Sequence, residues 1–136
     1  MLLDTNALFL LARRGFPLAA EIERFRPGAR LEVASGSLAE LDRLVARRAR
    51  GAALARAVAA RLAVVPSTGR GDAALLELAR RRGAWVVTAD RALVERLRAA
   101  GVPALVPRDR TRLAAVLPAP SNGSKSPRRA VARPNR

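Results

Sequence analysis

The chain has 136 residues, half of them apolar, with 26 Lys+Arg against 11 Asp+Glu and a formal net charge of +15. That length fits one domain, with or without a tail, and is enough for a real core. Cysteine and histidine are both absent, which excludes disulfides, thiolate or imidazole zinc sites, Ser-His-Asp and Cys-His nucleophiles, and imidazole proton shuttles.

Read from the start, Leu2-Leu3 is a short buried strand ending on Asp4. A helix follows, with Leu8, Leu10 and Leu11 inward, and stops near Gly15. Pro17 begins a second helix with Leu18, Ile22 and Phe25 at helical spacing, ended by Pro27-Gly28. Leu31-Glu32-Val33-Ala34 reads as a strand. Ser35-Gly36-Ser37 turns into a helix with Leu38, Leu41, Leu44 and Val45 on one face, which Gly51 interrupts before Leu54, Val58 and Leu62 continue the period. Ala63 to Pro66 suits a third strand, and Ser67 to Gly71 a polar loop. Asp72 opens a helix whose last turn carries Arg80-Arg81-Arg82, where cations suit the helix dipole, and Gly83 caps it.

Ala84-Trp85-Val86-Val87-Thr88 is a continuous apolar run of the kind found in a parallel sheet buried on both faces. Asp90 opens a further helix through Leu93 and Leu97, with Gly101 as its stop. Val102 to Val106 reads as a fifth strand, placed at an edge by Pro103, and Thr111 to Leu117 as a short final helix. Residues 118–136, rich in Pro, Ser, Asn and Arg, read as a disordered tail behind a domain of residues 1–117. Strands alternating with helices predict an α/β sandwich around a mostly parallel five-stranded sheet.

The charge points to a polyanion. The last eighteen residues carry five cations and no acid, which leaves +10 on the rest. RNA or DNA is the natural partner and a membrane is not. Nearly all the cations are Arg, with Lys125 the one lysine, a preference that codon bias can also produce. Three Phe, one Trp and no Tyr give little for stacking bases, so phosphate contacts should dominate. No stretch approaches the ~20 apolar residues of a membrane span. The segment Leu2 to Ala12 contains Asp4 and lacks the basic start of a secretory signal. A soluble, cytoplasmic protein is expected.

In open parallel sheets ligands bind beyond the carboxyl ends of the strands. Asp4 and Asp90 fall there directly, Asp72 opens the helix after a third strand, and Glu40 lies in the first turn of the helix after a second. Each has a local alternative. Ser37-Leu38-Ala39-Glu40 fits a capping box, and Asp4, Asp72 and Asp90 suit helix N-caps. Capping explains neither why Asp4 ends a buried strand nor why the acids gather on one rim. Carboxylates folded together are costly without a positive group between them. A divalent metal is the obvious candidate, and with no Cys or His the oxygen ligands point to Mg²⁺ or Mn²⁺.

Four segments carry a family resemblance: Leu3-Asp4-Thr5-Asn6, Ser37-Leu38-Ala39-Glu40-Leu41, Gly71-Asp72-Ala73-Ala74-Leu75, and Thr88-Ala89-Asp90-Arg91-Ala92-Leu93. In this order and spacing the chain resembles the PIN domain from Met1 to about Val106, and Gly101-Val102-Pro103 fits as well. Only three residues precede Asp4, fewer than the family usually has, and the basic tail is outside its pattern. The resemblance implies a three-layer α/β/α sandwich and a metal-dependent ribonuclease. Asp4, Glu40, Asp72 and Asp90 would be its catalytic residues and metal ligands. Asn6 and Thr88 would orient carboxylates or touch phosphate, and Arg13, Arg14, Arg70 and Arg91 would bind flanking RNA phosphates. The layout is similar to archaeal PIN proteins related to endonucleases that trim ribosomal RNA precursors. The alternatives are a PIN toxin held by an antitoxin partner and a non-catalytic RNA-binding ribosome-assembly factor. A homodimer is possible in either case.

Overall fold

The computed structural model describes residues 1–13, 16–69 and 71–118. Arg14, Arg70 and the tail beyond Pro118, all singled out above, lie outside the described residues. Among the described residues six strands and six helices follow in the order β1 (Leu2–Leu3), α1 (Thr5–Ala12), α2 (Leu18–Phe25), β2 (Glu32–Ala34), α3 (Ser35–Ala46), α4 (Ala52–Ala59), β3 (Ala63–Val65), α5 (Gly71–Arg82), β4 (Val86–Val87), α6 (Arg91–Ala99), β5 (Ala104–Pro107) and β6 (Leu113–Val116).

The sheet runs β3-β2-β1-β4-β5-β6. The first five strands are parallel to their neighbours and β6 is antiparallel to β5. Because side chains alternate across a strand, the central strands feed both faces. Leu3, Val33, Val87 and Leu105 pack with Leu8, Ile22, Leu41 and Ala55 of α1 to α4. Leu2, Ala34, Val86 and Ala104 pack with Leu75, Leu78, Leu93 and Leu97 of α5 and α6. This is the expected three-layer α/β/α sandwich. Among the described residues no helix is long and apolar enough to cross a membrane.

The expectation differs at the carboxyl end. The sheet has six strands rather than five, because Leu113–Val116 is a strand and not a helix. It pairs with β5 through four residues, Ala104↔Val116 to Pro107↔Leu113. Its backbone is also tied to α2, since Leu113 N–H donates to Glu21 Oε1 at 2.9 Å. Long-range pairing has overridden the helical preference of Leu-Ala-Ala. β5 therefore lies inside the sheet. Pro103 stands one residue ahead of it, so its missing N–H costs no ladder bond, while its carbonyl accepts from Val86 N–H at 3.1 Å.

Candidate active site

The parallel register fixes the centre of the site. Leu2 pairs with Val86 and Leu3 with Val87, so the next residues, Asp4 and Thr88, leave the sheet side by side. Asp4 also caps α1: Ala7 N–H donates to its Oδ1 at 2.8 Å. The Thr88 hydroxyl donates to its Oδ2. That hydroxyl in turn accepts the backbone N–H of Asp90 at 3.0 Å, and Asp90 caps α6 by accepting from Ala92 and Leu93 N–H. The N-cap readings of Asp4 and Asp90 were sound, while Asp72 lies inside the first turn of its helix, Gly71–Arg82; capping accounts for only part of the Asp4 and Asp90 carboxylates. Thr88 is fully buried, and its hydroxyl joins Asp4 to Asp90, a role beyond ordinary strand packing.

Glu40 and Asp72 arrive from the other side of β1. α3 starts at Ser35, directly after β2 and without a loop, so Glu40 stands in its second turn rather than its first. A capping box with Ser37 is therefore not formed. Glu40 instead accepts from the Thr5 hydroxyl at 2.7 Å, 35 residues away in sequence. Asp72 is the second residue of α5, one after its start, and its Oδ2 lies 3.9 Å from the Arg96 guanidinium. All four acids line one cavity of about 240 Å³, together with Thr5, Asn6, Gly36, Ser37 and Ser67. The wall between α3 and the loop after β3 is held by Ser67. Its N–H donates to Ser35 Oγ at 2.9 Å, and its Oγ accepts from Gly36 N–H at 3.0 Å.

The electrostatics are one-sided. Asp4 is 6% exposed. Burial pushes its carboxyl up to about 6; the bonds from Thr88 and Ala7 oppose this, and the charges of Asp72 and Asp90 add to it. Among the described residues the only ion pair to any of the four acids is the long Arg96–Asp72 contact. An oxygen-only donor set short of positive charge fits a hard divalent cation. As the side chains stand, no group of three or more acids among the described residues is arranged to hold a metal ion.

Residues 1–110 match the family described as PIN like domain. The chain belongs to that family. Among solved structures it is similar to that of the PIN domain endonuclease Utp24. The TM-score is 0.68 and the identity 20%, covering 88% of this chain and 94% of that one, a likeness of fold. No curated protein matches the chain.

Within this PIN domain the remaining sequence-predicted residues are divided between neighbouring grooves. Asn6 is exposed and lines the acid cavity. Arg13 lines an adjoining groove and Arg91 another, with neither on the acid cavity itself. Sequence reasoning missed Thr5, Ser67 and Arg96. Thr5 had a readable signal, a hydroxyl next to the strand-ending acid. Nothing in the spacing of Arg96 and Asp72, on different helices, announced their contact.

Proposed function

We propose that this PIN domain is a metal-dependent endoribonuclease that hydrolyses phosphodiester bonds of structured RNA, in the processing of ribosomal RNA. One observation carries the reading: acids from four separate segments line a single cavity at the carboxyl ends of parallel strands. Asp4, Asp90, Asp72 and Glu40 would hold Mg²⁺ or Mn²⁺, in part through water, since no three of them close on one point as they stand. When bound, such an ion supplies a more acidic water and neutralises charge on the phosphate in the transition state.

The chain's own groups keep the acids ready. Ala7 N–H and the Thr88 hydroxyl hold both oxygens of Asp4 in one orientation, and Thr5 holds Glu40. Fixing carboxylates in this way is how outlying hydrogen bonds tune a metal site. The surplus arginine supplies the phosphate contacts, and the rRNA-processing role rests on the motif layout and the fold likeness to an endonuclease. The domain boundary near residue 117 belongs to the same reading, with the basic tail either an RNA-binding arm or an end with no role, which deletion of residues 118–136 separates by the salt dependence of RNA affinity.

The test is cleavage of structured RNA with Mn²⁺ or Mg²⁺ and with EDTA. Asp4→Asn and Asp90→Asn should each lose about a hundredfold or more in rate. Cleavage by both variants at the wild-type rate would remove the nuclease reading. A second reading is an RNA-binding assembly factor without catalysis, for which the fold and the net charge of +15 alone would suffice. It predicts RNA binding that is the same with EDTA as with Mn²⁺, and no cleavage.

A further inference from the structure

Beside the acid cavity runs a second groove of about 470 Å³, lined by Asn6, Phe9, Leu10, Phe16 and Pro107 with Arg13 and Arg110 among its walls. Asn6 and Phe9 belong to both hollows, so one leads into the other. The chemistry of the two differs. The first is walled by carboxylates, the second by apolar groups and two guanidinium groups.

The aromatic content of the whole chain is three Phe and one Trp, and two of those four rings line this groove. Both are half-buried and packed against the α1-to-α4 side of the core, and Phe9 is further backed by Gly51, where an added Cβ would sit 3.5 Å from the ring. Rings held from behind offer their remaining surface without an entropy cost of ordering. The one acid of the groove, Asp109, is occupied: Thr111 N–H and Arg112 N–H donate to its Oδ1 at 2.9 and 3.0 Å. Those bonds hold its carboxyl below the usual carboxylate range. Arg13 and Arg110 make no ion pair among the described residues.

We infer that this groove receives one unpaired nucleobase of the RNA strand, from the nucleotide next to the phosphate that enters the acid cavity. Phe16 and Pro107 give it an apolar seat, and Arg13 and Arg110 meet the flanking phosphates. The inference rests on the ribonuclease reading. The continuity of the two hollows and the cations at the second favour a nucleotide over an apolar peptide, which would leave both guanidinium groups unused. A base inside a duplex cannot reach such a seat, whereas unstacked bases of loops and single strands are read by aromatic side chains. The groove therefore selects unpaired RNA at that position.

Anisotropy of a fluorescein-labelled single-stranded RNA, titrated with the full chain in EDTA, tests this without cleavage. An abasic nucleotide is stepped along the same RNA. Phe16→Leu should weaken the intact RNA by about fivefold, and Phe16→Trp should restore it. One abasic position should weaken wild type by a similar factor and leave Phe16→Leu indifferent. Arg110→Gln should lower the salt slope by about one. Equal affinity of wild type and Phe16→Leu for intact RNA, with every abasic position neutral, overturns the inference; a peptide-binding groove would give that result. A Phe16→Trp variant that binds like wild type separates loss of stacking from loss of fold. Silent Phe16→Leu binding with intact cleavage removes only the groove. Base-dependent binding without metal-dependent cleavage removes only the nuclease reading.

Discussion

Two buried carboxylates stand on adjacent strands, at opposite ends of the sheet. Asp4, 6% exposed, follows the carboxyl end of β1, and Glu32, 8% exposed, opens β2. Glu32 is paired. Arg82 donates to both its oxygens at 3.0 and 3.2 Å, and the Met1 amino group lies 3.8 Å away. Asp4 has only the neutral donors Ala7 N–H and Thr88 hydroxyl, with Asp72 and Asp90 adding negative charge. A buried acid that serves the fold is matched by a cation within the chain. One left unmatched among further acids carries a destabilisation of the kind that marks functional sites, and the proposed divalent cation would supply the charge it lacks.

Arg82→Ala should break the first half of that comparison, with the largest effect on stability. It leaves Glu32 buried without its guanidinium. Breaking a buried pair costs about 3–5 kcal/mol, and the 38% exposure of Arg82 reduces this to about 2 kcal/mol in urea unfolding. A loss below about 0.5 kcal/mol, the level of an ordinary surface change, would mean that Glu32 needs no partner and that the contrast has no energetic content.

Asp4→Asn should act in the opposite direction. The folded pKa of about 6 lies above the ordinary 3.8, so the folded state binds the proton more tightly. The stability this brings is full below pH ~4 and is lost as pH rises through 6. Two pKa units set a ceiling of about 3 kcal/mol, which relaxation and water reduce to about 1–2 kcal/mol. In EDTA at pH 8 the Asn variant should be more stable by that amount, and its stability should not slope between pH 4 and 6. Mn²⁺ should raise the melting temperature of wild type and not of Asp4→Asn. A variant less stable than wild type at pH 8 would reduce Asp4 to a helix cap.

Much of this was legible in the chain. Strands such as Val86–Val87 and the Gly stops of the helices were readable because burial on both faces and helix ends leave local marks. The gathering of the acids was readable because Asp4 ends a strand and Asp72 and Asp90 stand where helices begin, with Glu40 one turn into its helix. What failed depended on distant contacts. Leu113–Val116 looks helical until β5 is there to pair with it, although Asp109, with its Oδ1 accepting from Thr111 and Arg112 N–H, is the side-chain-closed turn that a hairpin needs. Glu40 looked like half of a capping box because the direct β2-to-α3 junction at Ser35 has no sequence signal. Glu32 gave one that went unused: an acid inside an apolar strand needs a partner, and Arg82 is fifty residues on.

Thr88→Val keeps the shape of a buried side chain and removes the hydroxyl between Asp4 and Asp90. Stability should fall by about 1 kcal/mol, and, if the proposed metal-dependent cleavage holds, its rate should fall by about tenfold, the effect of removing a group that orients a metal ligand. The pH slope assigned to Asp4 should move to higher pH, because one of the bonds holding its carboxyl down is gone. A change in stability with the slope unmoved would place the value of Thr88 in packing alone.

Thr5→Ala should give the smallest effect and sharpen the contrast within the acid cavity itself. Thr5 makes one 2.7 Å bond to Glu40, a carboxylate already exposed to water, so removing the donor lets solvent take its place. The expected loss is below about 0.5 kcal/mol. Cleavage should fall severalfold only if the orientation of Glu40 matters, and Glu40→Gln should then fall further than Thr5→Ala. If Thr5→Ala instead costs as much as Thr88→Val in both measurements, exposure is not what separates the two acids. The contrast between Asp4 and the rest of the rim would then have to rest on charge alone.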